Sequence, residues 1–275
     1  PSSKTFTVAV TLVSKTLSSN SWAVIKAVSD AGQGANYWSV GATKSVTING
    51  KVGATTISSL KVDAFIIGFN HNSSKEGSNR IHFLLGKISG KFVGLVDGNY
   101  GNSSSTSGAF TMNTTNTNSG GWERSQMRSK VLGSASSPTS PTANTLLAAL
   151  PSDLRAVMKS CTKYTDNKGG SNTASNVSST TDYLFLLSEY EVHGTRSYAN
   201  SAEQNSQAQY DYFKAGNSKV ANKHSATGTA AVWLLRSPYY NNINGNSYFC
   251  AVSSSGSLDF GYAYSAYGVV SGFVV

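Results

Sequence analysis

Two glutamates set two apart, four histidines and two cysteines carry the clearest chemical potential in this 275-residue chain. A carboxylate pair can divide acid and base roles when its members flank a substrate from separated elements. The run Asp182 to Val192, with its apolar Tyr183-Leu184-Phe185-Leu186-Leu187, reads as a strand. Glu189 and Glu191 then share one strand face, a placement that favours a structural role. His71, His82, His193 and His224 form no HExxH helix and no His-x-His pair, the spacings that gather a zinc ion. His82 alternates within a strand-like run and reads as a packed or surface side chain. His71, in Gly68-Phe69-Asn70-His71-Asn72, reads as a hydrogen-bonding member of a turn. Cys161 and Cys250 can make one disulfide or lie buried as small apolar groups, but they form neither a CxxC pair nor a metal cluster. Gly86-Lys87-Ile88-Ser89-Gly90 has its serine one place too late for a nucleophile elbow. Gly32-Gln33-Gly34 lacks the third glycine and the preceding strand of a dinucleotide loop. No phosphate loop or DxDxDG calcium loop occurs. These residue types therefore point to no enzyme, no metal and no cofactor.

The unusual chemistry lies nearer the C-terminus, between Ser237 and Tyr267. Tyr, Ser, Asn and Gly make up about two-thirds of that segment, the composition of antibody binding loops. Tyrosine gives a large amphipathic contact at low entropic cost, and Ser, Asn and Gly give adaptable hydrogen bonds. The candidate ligand-contacting residues are Tyr239, Tyr240, Asn241, Asn242, Asn244, Asn246, Ser247, Tyr248, Ser257, Asp259, Phe260, Tyr262, Tyr264, Ser265 and Tyr267. From Ser237 to Val275 there is no Lys, Gln, Glu, Met or Trp. Those five types are the ones whose codons cannot be reached from AAC or AAT by changing the two adenines. Every residue from Tyr239 to Tyr267 can be reached that way.

The elements that must position such a surface are short. The charged fraction of 13% is about half the usual one, and Ser, Thr, Asn and Gly fill the gap. With 14 Tyr, 11 Phe and 4 Trp there is ample apolar area to bury, so the composition is that of an irregular α+β globular fold. A net charge of +9 raises nucleic acid as a partner. Its lysines are scattered, however, as at Lys15, Lys26, Lys44, Lys51, Lys61 and Lys75, and no block tracks a phosphate backbone. No apolar run has the length of a membrane span. Phe6 to Val13 alternates as a strand, and residues 1–20 are expected to continue from an upstream region. Ser21 to Ala31 has helical spacing, with Trp22, Ile25 and Val28 on one face and Gly32 as its stop. Ser45–Ile48 and Leu60–Phe69 read as strands joined by an Asn49-Gly50 turn, and Ile81–Leu85 as another. Residues 97–121 read as a long surface loop and Trp122–Leu132 as a short helix. Ser134–Pro141 reads as a linker. Asn144–Leu150, Ser152–Cys161 and Ala202–Phe213 read as helices, and Ala231–Leu235 as a buried strand.

Several segments together resemble a known group. Trp233-Leu234-Leu235-Arg236-Ser237-Pro238, Phe249-Cys250-Ala251-Val252, Gly256, Gly268-Val269 and Gly272-Phe273 are similar to the end of prophage-type variable proteins of diversity-generating retroelements. Upstream, Trp38 to Lys44, Ile67 to His71, Ser119 to Glu123 with Met127-Arg128, Leu150-Pro151 and Leu186 to Val192 resemble the same group. The resemblance implies a single C-type-lectin-like domain over 1–275, related to the formylglycine-generating-enzyme fold, with residues 232–275 as its variable ligand-binding region. It makes Trp233, Arg236, Pro238, Phe249, Val252, Gly256, Gly268 and Phe273 scaffold, and gives Trp122, Glu123 and Arg128 a buttressing role. It also implies a bacterial surface protein or glycan as ligand, and a place on a phage virion, tail-associated and in several copies, or on a bacterial cell surface. Two departures stand out: Val232-Trp233-Leu234 where a Trp-Trp pair is common, and Val270-Ser271-Gly272 where many relatives carry proline. A formylglycine-generating-type oxidase is the alternative from another class, but such enzymes resemble this fold with a pair of catalytic cysteines near the C-terminus, where Cys250 stands alone. A structural virion or surface protein is the third reading.

Overall fold

Helix α1 (Trp22–Asp30) forms where the spacing expects it. Ser21 caps it by accepting from the Val24 N–H, Gly32 takes φ 69° just beyond its end, and Trp22, Ile25 and Val28 face inward. The computed structural model describes residues 12–134, 136–240 and 246–275. The strand expected over Phe6–Val13 therefore falls almost wholly outside the described residues, as do Asn241, Asn242 and Asn244.

The α+β class holds, with strands dominating and most helices a single turn. Strands β1 (Thr43–Val52), β2 (Thr55–Phe69), β3 (Ile81–Ile88) and β4 (Lys91–Gly94) run as an antiparallel meander. A separate hairpin joins β5 (Cys161–Asp166) to β6 (Val177–Asp182). Beyond it, β7 (Ala221–Lys223) pairs in parallel with β4 and antiparallel with β8 (Ala226–Ala231). Strands β9 (Trp233–Pro238), β10 (Tyr248–Val252) and β11 (Leu258–Tyr262) make a three-stranded sheet with β10 in the centre. Last in order, β12 (Gly272–Val274) returns to the large sheet and pairs with β3. Phe273 stacks on Phe83 at 5.1 Å, and Trp22 of α1 meets both rings edge-on, so helix, first sheet and β12 share one core. The buried apolar side chains form one cluster running from Leu17 to Val275.

Several sequence expectations are corrected. The β1–β2 turn is Gly53-Ala54, between the paired Val52 and Thr55, while Asn49-Gly50 lies inside β1 at a register shift, with Gly50 at φ 136°. Close approach explains the choice, since a Cβ on Gly53 would sit 2.0 Å from the Gly108 carbonyl oxygen. Residues 97–121 contain no helix or strand up to Gly120, but they are not only surface, because Ala109, Phe110, Thr111 and Met112 are fully buried. Trp122–Leu132 splits into a turn at Gly121–Arg124 and a π-helical turn at Met127–Leu132, broken at the extended Ser125. Ser152–Cys161 is helical only over Ser152–Arg155, and Cys161 opens β5. Ala202–Phe213 resolves into a 3-10 helix over Ser201–Ser206 and a short helix over Asp211–Lys214. Asp182–Val192 is not one strand. Leu184–Leu187 are fully buried with a single bridge from Phe185 to Gly272, and Ser188 then caps the short helix Glu189–His193. A capping box, in which Ser188 and Glu191 satisfy each other's backbone N–H groups, turns the chain there.

Candidate functional site

The sheet β9–β10–β11 stands on a buried ionic lattice. Arg236 of β9 has no exposed side-chain surface and spends its guanidinium on Glu191, on Thr165 Oγ1 at 2.7 Å and on the Leu186 carbonyl at 2.9 Å. Lys163 Nζ, equally buried, bonds Glu76 at 2.7 Å, Glu191 at 3.0 Å and the Tyr210 hydroxyl at 2.7 Å. Burial alone would raise the Glu191 carboxyl, but Arg236 and Lys163 outweigh it and hold the group below the ordinary range. Burial raises Glu76, with Lys163 opposing. Such a lattice is stable only when every charge is paired, and here two carboxylates meet two cations.

Two sets of donor atoms in and around this lattice lie close together. Glu76, His82 and Cys161, and separately His71, Glu76 and Glu191, place ligand atoms within 4.8 Å of one another. The Lys163 ammonium already occupies the position between Glu76 and Glu191 that a cation would take. Burial keeps both imidazoles neutral, with His71 lowered to about 3 by burial and by nearby Lys163. Burial also pushes the Cys161 thiol up. Among the described residues the lattice balances its charges without an added cation, the Lys163 ammonium lying between the two glutamates. Glu189 and Glu191, expected on one strand face, lie on a helix turn with different tasks. Glu189 accepts the N–H groups of Tyr198 and Ala199, the latter at 2.7 Å, and so fixes the backbone of Tyr198.

Above the lattice lies a continuous aromatic face. Cross-strand pairing sets Tyr248 opposite Tyr262 and Cys250 opposite Phe260, which puts Tyr248, Phe260 and Tyr262 on one side of the sheet. Tyr239 stacks on Phe260 at 4.9 Å, Tyr248 meets Tyr262 at 4.6 Å, and Tyr240 and Tyr264 extend the chain of rings at either end. Tyr198 packs edge-on against Tyr239 and Phe260, while its carbonyl accepts the Tyr240 N–H. Asn118, whose amide donates to the Tyr239 and Tyr248 carbonyls, ties the face to the preceding loop. Tyr262 is the exposed crest at 42%.

The predicted contact residues divide accordingly. Tyr239, Tyr240, Tyr248, Phe260, Tyr262 and Tyr264 come together in that ring cluster. Tyr248 itself is buried beneath its neighbours, and Ser247 and Ser265 are buried as well. Asn246 packs over Gly170 and accepts the Asn118 N–H through its carbonyl. Asp259 pairs with Ala251 on the opposite face of β11 from Phe260. Ser257 is exposed in the β10–β11 turn, among hydroxyls of Ser253 and Ser255. Tyr267 packs under Gly261 and against Tyr100, apart from the ring cluster. Sequence reasoning missed Tyr198 and Asn118, since nothing in their local spacing ties them to a segment more than forty residues away. Of the residues expected as scaffold, Trp233, Arg236, Phe249, Val252 and Phe273 are fully buried, while Gly256 is half-buried in the β10–β11 turn. Trp122 and Arg128 meet at Asp182, through the indole N–H at 3.2 Å and a forked guanidinium pair.

Among the described residues no helix is long and apolar enough to cross a membrane. No curated protein and no solved structure matches the chain. One family model, described as Domain of unknown function (DUF6273), matches residues 103–275, which include the aromatic face and most of the lattice beneath it.

Proposed function

We propose, from the premise that this chain belongs to the DUF6273 family, that it is a non-catalytic recognition protein whose aromatic face takes a protein or glycan of a bacterial surface. The finer architecture in this reading is a C-type-lectin-like scaffold of the prophage variable-protein kind, carried on a phage particle or a cell surface. The observation that carries the reading is the ring cluster Tyr239–Phe260–Tyr248–Tyr262, mounted on a sheet whose underside is locked by buried charge. Rings of this type supply contact area and hydrogen bonding at low entropic cost, and neutral surroundings admit many ligand chemistries. Weak single-copy binding would be raised by display in several copies.

Sequencing the 3′ end of the gene across a natural population tests the reading. Substitutions are expected to concentrate at AAC and AAT codons between Tyr239 and Tyr267, with Trp233, Arg236 and Phe249 fixed. A segment as invariant as the rest of the chain overturns diversified recognition and leaves a fixed lectin-like or structural role.

A further inference from the structure

A second surface feature lies behind the loop that borders the aromatic face. Residues 113–119 are tied on one side to that face, through Asn113 N–H to the Ala263 carbonyl at 2.8 Å and Asn118 N–H to the Asn246 carbonyl at 2.6 Å. Their other side walls a cavity of about 350 Å³, which shares Ser107, Ser129 and Lys130 with a neighbouring cavity of about 230 Å³. The two cavities, which adjoin at these three residues, are together termed the groove.

Its floor is built from separate parts of the chain. The β1–β2 turn sets Gly53 N–H on the Asn144 carbonyl at 2.8 Å and Ala54 N–H on the Gly108 carbonyl at 2.9 Å, so the turn cannot swing away without breaking both bonds. Among the described residues the lining has no aromatic ring and no carboxylate. Arg124 and Lys130 face it without an ion-pair partner among the described residues. The side chains of Ser107, Ser119 and Asn144 have no hydrogen-bond partner among the described residues.

We infer that this groove binds an acidic oligosaccharide. Hydroxyl and amide groups both donate and accept, as sugar hydroxyls do, whereas a bare phosphate offers acceptors alone. Two unpaired cations supply the complement to a sugar carboxylate. The missing rings remove the stacking platform that single-stranded nucleic acid needs. Two adjoining cavities suit several linked sugar units better than one compact anion. The site is distinct from the aromatic face and would survive the loss of function there.

Calorimetric titration of the whole chain with tetragalacturonate, maltotetraose and tripolyphosphate tests it. Tetragalacturonate is expected to bind, and the Arg124→Ala/Lys130→Ala double variant to weaken it at least about tenfold. Ser107→Trp, which fills the exposed junction of the two cavities, is expected to do the same, while Tyr262→Ala leaves binding unchanged. No binding of tetragalacturonate overturns the inference, as does equal binding of maltotetraose. Tripolyphosphate binding as well as tetragalacturonate also overturns it, since the groove is then a plain cation patch. Loss through Tyr262→Ala with no effect of the groove variants moves the sugar to the aromatic face, which overturns the groove and leaves the recognition reading intact.

Discussion

Glu203 sits directly under β9 without a cation of its own. Its carboxyl accepts the Asp166 N–H at 2.9 Å, the Ser237 hydroxyl at 2.6 Å and the Gln207 amide at 3.2 Å. Burial raises it to about 7, the hydrogen bonds and Arg236 offsetting only part of that. Between its ordinary value of 4.5 and about 7 the folded chain holds this proton and the unfolded chain does not. Stability contributed by this group therefore falls as pH rises across that window, by on the order of 3 kcal/mol at full effect. Urea unfolding at pH 5 and at pH 8 is expected to show the decline, and Glu203→Gln to flatten it; an unchanged slope in the variant would assign the pH dependence elsewhere. Neither Glu203 nor Lys163 can be singled out in the sequence. Each is an ordinary polar residue in a polar stretch, and only the folded chain gathers Glu76, Lys163, Glu191 and Arg236 from positions far apart. The metal-free expectation drawn from spacing alone gives no warning of this lattice. Its His, Cys and Glu residues lie on the β2–β3 connection, β3, β5 and the helix at Glu189–His193.

Strand β10 shows how an element separates what holds the fold from what faces outward. Phe249 points into the core and is fully buried, while on the adjoining strand Tyr262 crests the opposite face. Phe249→Ala is expected to cost about 3–5 kcal/mol, the usual toll of deleting a core aromatic ring. Tyr262→Ala is expected to cost only about 1 kcal/mol, the loss of a half-exposed ring and its contact with Tyr248. Thermal melts of the two variants check the contrast, and comparable losses would mean that the ring cluster is itself part of the core. Elements with strong periodicity were legible from the sequence. Helix α1 has its cap, its apolar spacing and its glycine stop, and β2 and β3 carry apolar runs, whereas the strand expected over Ala231–Leu235 divides at Val232 between the end of β8 and the start of β9. Single-turn helices were not legible, because Asn144–Leu150 and Ser152–Cys161 have helical composition but too little length to propagate. Tyr183–Leu187 misleads for another reason: a short apolar run reads alike whether it is a strand or a buried connection between them. In the binding segment, composition located the ring cluster, but it could not separate the clustered Tyr239 and Tyr262 from Tyr267, which packs elsewhere.

Across the whole molecule the order of pairing departs from the order of synthesis. The first sheet closes only when β12 reaches β3, with Phe273 on Phe83 and the Val275 N–H and carbonyl bonded to Ile81. A chain cut after Val270 is expected to lose its cooperative thermal transition, since Trp22, Phe83 and the edge of β3 are then left uncovered. Retention of a sharp melt by that truncated chain would show that β12 is dispensable. The same arrangement bears on how alterations of the aromatic segment are screened. A ribosome must translate residues 239–267 in frame before it reaches Gly272, and the nascent sheet stays open until it has. A premature stop or slipped frame inside the segment thus yields a polypeptide that cannot close and is exposed to proteolysis. Swaps at exposed positions such as Tyr262 leave closure intact, so the fold proofreads the message for frame while leaving its exposed side chains free.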